Sequence, residues 1–164
     1  MSPFFKENYA KTFILFIFLI LFTGFLSSCS SSKKARNKDI EKVISTARSY
    51  RGTPYRYGGT TRAGIDCSAL IFHAYGSVGI NMPRTSESQS KVGKSVSGGK
   101  LQKGDLVFFA TGRRKKQVTH SGIVTEVSNK GVFFIHSSTS LGVTEDNLGN
   151  SYWKKAFLFG KRVL

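Results

Sequence analysis

A chain of 164 residues has room for one domain and a short appendage, which excludes a multidomain assembly. Its formal net charge of +16 bears on partners rather than on fold. No zinc-finger or RNA-binding-sheet motif accompanies that charge, so nucleic acid is excluded as its reason and anionic lipid head groups or wall polymers are the expected counterparts.

The first stretch is not fold material. Lys6 and Lys11 precede a nearly unbroken apolar run, Phe13 to Phe25, that is short of the roughly 18 to 20 residues a bilayer span requires. Ser27, Ser28 and Cys29 follow, and the order basic, apolar, small reads as an export signal over residues 1–28. Leu26-Ser27-Ser28-Cys29 resembles a bacterial lipobox, which implies a diacylglyceryl group on Cys29 and anchorage to a membrane surface. Ser30 to Lys38, rich in Ser, Lys, Arg and Asn, is expected to be a flexible tether. The domain then runs over 39–164, long enough to bury a core without a disulfide.

Asp39 is placed to cap a helix that continues to Tyr50, with Ile40, Val43, Ile44, Ala47 and Tyr50 on one face. Gly52 to Ile65, rich in Gly and Thr, reads as a loop. A second helix is predicted from Asp66 to Val78, burying Leu70, Ile71, Ala74, Tyr75 and Val78, and Gly79 ends it. Thr85 or Ser86 caps a short third helix through Lys91, and Ser86 with Gln89 has capping-box spacing. The basic cluster Arg113 to Lys116 reads as a solvated loop or as a docking patch for anionic polymers. From Leu106 onward the pattern is β: Leu106 to Ala110, His120 to Val127, Val132 to Ser137 and Phe157 to Val163. Helices first and strands after predict an α+β domain with an antiparallel sheet.

Chemistry centres on Asp66-Cys67-Ser68. There are two cysteines; with Cys29 held as a thioether, Cys67 is a lone thiol in an oxidising compartment. With Asp66 as N-cap, Cys67 falls in the first helical turn, where unpaired amides and the helix dipole favour a thiolate. The same amides suit an oxyanion. His73 lies six residues on along the same helix, about 240° around it, and cannot face Cys67. His120 and His136 lie on adjacent predicted strands, which allows His120 as base and His136 as the group that orients it. Zinc is the competing use of these three residues. No CxxC or HxxxH spacing supports it, so no metal and no cofactor is expected.

In this setting the chain resembles the NlpC-type cell-wall peptidases, papain-like cysteine hydrolases. The matching runs are GTPYRYGG at Gly52 to Gly59, GIDCSALI at Gly64 to Ile71, MPRTSESQ at Met82 to Gln89, LQKGDLVFF at Leu101 to Phe109, THSGIV at Thr119 to Val124 and VFFIHSSTSLGV at Val132 to Val143. The resemblance implies a papain-like fold, Cys67 as nucleophile, His120 as base and His136 as third member. It also implies Tyr55, Asp66 and Ser68 at the substrate cleft, Asp66 being able to hold a substrate amine. The implied reaction is hydrolysis of an amide in peptidoglycan stem peptides, at the bond between D-glutamate and a diamino acid, by a protein of the cell envelope lipid-anchored to a bacterial membrane, which is the outer membrane if the cell is Gram-negative. An amidase or acyltransferase acting on another acyl substrate, and a catalytically weak wall-binding lipoprotein, are the alternatives. Ala69, Ser121 and the length of loop Gly112 to Gln117 depart from the family pattern.

Strand parity yields a further expectation. A two-residue turn at Asn129-Lys130 with no irregularity would put His120 and His136 on opposite faces. A catalytic pair therefore predicts an odd loop or a bulge near Ser128 to Gly131, Gly122 opposite His136, and both imidazoles on the face that meets the Cys67 helix.

Overall fold

A computed structural model describes residues 31–113 and 116–164. The export signal, Cys29 and part of the basic loop lie outside the described residues. The chain divides at Lys38/Asp39. Residues 31–38, expected as a flexible tether, are helical with exposed side chains. Lys33, Lys34, Ala35 and Arg36 are strong helix formers, and that propensity outweighs the serines. Among the described residues no helix is long and apolar enough to cross a membrane.

In the unit from Asp39 onward, helix α1 covers 39–48, so Asp39 is helical rather than a boundary cap. Ile40, Val43, Ile44 and Ala47 are buried, as their spacing predicts. The expected loop contains a two-strand hairpin, β1 (Thr60–Thr61) and β2 (Gly64–Ile65). Helix α2 (Cys67–Gly76) is capped by Asp66, whose carboxylate accepts from the Ala69 amide. Helix α3 (Ser86–Gln89) is capped by Thr85. The Gln89 side chain does not close a capping box. It donates to the Ser68 and Pro83 carbonyls and so ties α3 to α2.

Six strands form one antiparallel sheet: β3 (Lys94–Val96), β4 (Leu106–Phe109), β5 (His120–Ser128), β6 (Gly131–Ser138), β7 (Gly142–Asn147) and β8 (Phe157–Arg162), in the order β3-β8-β4-β5-β6-β7. Helix α4 (Ser151–Ala156) precedes β8. Strands β3 and β7 and helix α4 were not predicted. Alternation divides the apolar side chains between two cores. Leu106, Phe108, Ile123 and Ile135 pack with Ala69, Leu70, Ile71 and Ala74 of α2. Val107, Phe109, Val124 and Phe134 pack with Trp153 and Ala156 of α4.

The β5–β6 connection corrects the parity expectation in two ways. The turn is the tight one, with Ser128 opposite Gly131, and the compensating irregularity lies instead at Thr125, where the register shifts between Val124 and Glu126. Beyond that bulge Ile123 opposes Ile135, so Gly122 falls opposite His136 and the two histidines share a face. A Cβ on Gly122 would lie 2.7 Å from Phe134 Cδ2 and 3.3 Å from His136 Cβ. It would also lie 2.9 Å from the Ile135 carbonyl oxygen, so only glycine fits here against β6. The shared face, however, is the one covered by Trp153, since His120 and His136 run in step with Val124 and Phe134. The helix α2 packs on the other face. Cys67 and His120 still meet, because each is the first residue of its element.

Candidate active site

Cys67 is the first residue of α2 and is nearly sealed from solvent, at 7% exposure. Burial pushes its thiol up, but the hydrogen bond and charge of His120, then the Ser86 hydroxyl and the Ser121 amide, outweigh it and bring the pKa from 9.0 to about 7. The Ala69 amide of the first helical turn is taken by Asp66, and the amides of a helix's first turn have no partner within the helix.

Behind the thiol runs a directed chain. His120 Nε2 lies 2.9 Å from His136 Nδ1, and His136 Nε2 lies 3.0 Å from Asp146 Oδ2. Trp153 Nε1–H donates to that same oxygen at 2.8 Å. Burial, reinforced by the charge of His120, lowers His136 to about 4 against a partial upward pull from Asp146. His136 is therefore neutral near pH 7, and its contact with Asp146 is a hydrogen bond rather than an ion pair. The carboxylate can only accept, so His136 carries its proton on Nε2 and offers a lone pair at Nδ1. His120 must then donate from Nε2, which leaves its Nδ1 free to take the thiol proton. Trp153 stacks on His120 at 5.5 Å and meets His136 edge-on at 4.8 Å, fixing both ring planes.

Asp146 and Trp153 were missed in the sequence. Asp146 lies on β7, where Phe134 opposes Asp146 and His136 opposes Thr144, so it is a diagonal neighbour of His136 on the same face. The alternation of Gly142 to Asn147 was the available signal, masked by its polarity. His73 is structural, as expected: it bonds the Thr60 carbonyl at 2.8 Å and stacks on Tyr50. Both nitrogens of His136 are engaged, which leaves it no lone pair for a metal.

In front of the thiol lies a cleft of about 560 Å³, lined by Tyr57, Asp66, Ser68, Arg84, Ser86 and Glu87 among others. Asp66 and Ser68 reach it as the resemblance implied. Tyr55 is not part of the lining, yet it bridges to Ile65 and feels the charge of Cys67. Burial and then that charge raise its pKa, so it stays a neutral donor. Asp66 is not a free receptor for an amine. Oδ1 accepts from Ala69, Ser68 and Arg84, and Oδ2 from Gly58 and Arg84. Burial pushes the carboxyl up, but Arg84, Ala69 and Ser68 hold it below the usual range. Arg84 stands in the matched run MPRTSESQ, two residues before Ser86, and its local pattern signals a helix cap rather than a partner for Asp66.

Residues 52–162 match the model of the NlpC/P60 family. The chain belongs to the NlpC/P60 family. It is 39% identical to the probable endopeptidase NlpC of Escherichia coli K12, over 88% of this chain and 97% of that one. It is 37% identical to the murein DD-endopeptidase MepS/murein LD-carboxypeptidase of the same strain, over 79% of this chain and 66% of the relative. Among solved structures, a protein of Staphylococcus aureus Mu50 described as similar to lipoprotein, NLP/P60 family, superposes with a TM-score of 0.67 at 30% identity, over 77% of this chain and 42% of that one. The α+β fold expected from the sequence is the papain-like fold of this family.

The thiol chemistry of this NlpC/P60 chain is directly measurable. Alkylation of Cys67 by iodoacetamide should follow a single titration with its midpoint near 7. Below that pH the sulfur is protonated and labelling falls; above it the rate levels off. A midpoint near the ordinary 9.0 would mean that His120 does not stabilise the thiolate.

Proposed function

We propose that this protein is a peptidoglycan hydrolase, a cysteine endopeptidase that cleaves amide bonds in wall stem peptides. The observation that carries the reading is the ordered chain Cys67–His120–His136–Asp146 at the end of an open cleft. Cys67 attacks the carbonyl carbon while the oxyanion is received by the first amides of α2, with Tyr55 as a neutral donor nearby. His120 takes the thiol proton at Nδ1 and returns it to the leaving amine, so the C–N bond breaks to give a thioester and a free amine. Water, deprotonated by His120, then releases the acid. His136 keeps His120 in the tautomer this needs.

The bond between D-glutamate and the diamino acid is the first choice of target. The name of the Escherichia coli relative, a DD-endopeptidase, supports the D-alanine cross-link as a second. Both reactions release an amine of the diamino acid. Digestion of purified peptidoglycan with mass analysis of the products separates them: the first splits the stem within the peptide, the second converts cross-linked dimers to monomers. No change in either would overturn the reading.

Cys29 is the lipid attachment site in this proposal, holding the enzyme at the membrane facing the wall. The lipobox-like sequence supports it, as does the description of the Staphylococcus aureus relative as similar to lipoprotein. Cys29→Ala should move the protein from the membrane fraction to the soluble envelope fraction without changing kcat/KM on soluble muropeptides. Retention on membranes after removal of residues 1–28 would exclude the anchor.

A further inference from the structure

Ser121 lies on the face of β5 opposite the histidines. It runs in step with Ile123, so it points to the side on which α2 packs, and it is fully buried. Its hydroxyl lies 2.9 Å from Ser86 Oγ, and Ser86 Oγ lies 3.4 Å from Cys67 Sγ. The hydroxyl of Ser121 has no other partner among the described residues.

The direction of these bonds follows from the hydrogens. If Ser86 donated to Ser121, the Ser121 hydrogen would point into a sealed core with no acceptor, at the cost of an unmade buried bond. If Ser121 donates to Ser86, the Ser86 hydrogen is free for the sulfur. Both hydroxyls are then satisfied, and the row ends on the atom best able to accept when it is anionic. The groups of other elements that bear on that sulfur are His120, the Ser121 amide, Tyr55 and Arg84, and Asp66 is the residue that precedes it in the chain. Arg84 is committed to Asp66, and Tyr55 keeps its proton, so the neutral donors that act on the anion beside His120 are the seryl row and the Ser121 backbone amide, and a change of side chain at Ser121 leaves that amide in place.

We propose that Ser121 and Ser86 are positioning residues that hold the Cys67 sulfur as an anion, Ser86 by donating to it and Ser121 by orienting Ser86. This rests on Cys67 being the nucleophile, but its test needs no hydrolysis. The test is the pH profile of iodoacetamide labelling in the full chain, read by mass spectrometry on the peptide that carries Cys67. Ser86→Ala should raise the midpoint by about one pH unit, since a hydrogen bond to the charged form is lost. Ser121→Ala should raise it by roughly half as much, and Ser121→Thr, which keeps the hydroxyl, should restore the wild-type midpoint. In a Ser86→Ala background, Ser121→Ala should add nothing. Unmoved midpoints in both single variants overturn the proposal, as does a Ser121→Ala shift of equal size in either background. Should Ser86→Ala fail to fold, the comparison of Ser121→Ala with Ser121→Thr decides alone: equal midpoints overturn it.

Discussion

Cys67→Ser should leave the fold intact and reduce release of muropeptides by at least about 10³-fold, a floor set by what removal of a nucleophile costs other hydrolases. The exchange replaces one atom by a smaller one of the same valence at a buried site, so packing changes little. The chemistry changes greatly. The thiol is poised about 7, where a substantial share is anionic at neutral pH, while a seryl hydroxyl on the same helix would remain protonated. Mass analysis of peptidoglycan digests gives the rate, and a melting curve confirms the fold. Activity within tenfold of wild type would remove Cys67 from the centre of the mechanism.

His136→Ala should reduce kcat by about 10² to 10⁴-fold with little change in KM, the range expected when a catalytic histidine loses the group that fixes its tautomer. Without the Nδ1 acceptor, His120 has no fixed partner at Nε2 and its proton can move to Nδ1, the nitrogen that must be bare. His136→Asn should recover much of the loss, since an amide oxygen can accept from His120 as it does in Cys-His-Asn proteases. It also controls for the space that alanine leaves at a fully buried position. The acid limb of the rate profile should continue to follow Cys67 near 7, because His136, at about 4, stays neutral throughout that range. Equal kcat for wild type and His136→Ala would make His136 a packing residue only.

What was legible in the sequence is what local periodicity carries. The cap at Asp66, the apolar spacing of Leu70, Ile71, Ala74 and Tyr75, and the placement of Cys67 at a helix start all follow from residues within a few positions of one another. The same holds for the strands that carry His120 and His136, because β-branched and aromatic runs between glycines announce themselves. The order of the matched runs indicated the family on its own.

Tertiary structure alone decided how these parts meet. A bulge has no local signature, so the parity that joins the histidines, set at Thr125 rather than at the turn, depended on how β5 registers against β6. The same register put both imidazoles under Trp153 and left Ser121 to face α2. Asp146, ten positions from His136, and Ser86, thirty-five from Ser121, acquire their roles only from the strand order and the placement of α3. Arg84 likewise turned Asp66 from an expected amine receptor into a paired carboxylate. The physical reason is the same in each case. Secondary structure is selected by interactions a few residues apart and leaves a period in the chain, whereas a hydrogen bond between distant side chains depends on where two elements stop and in which register they pair.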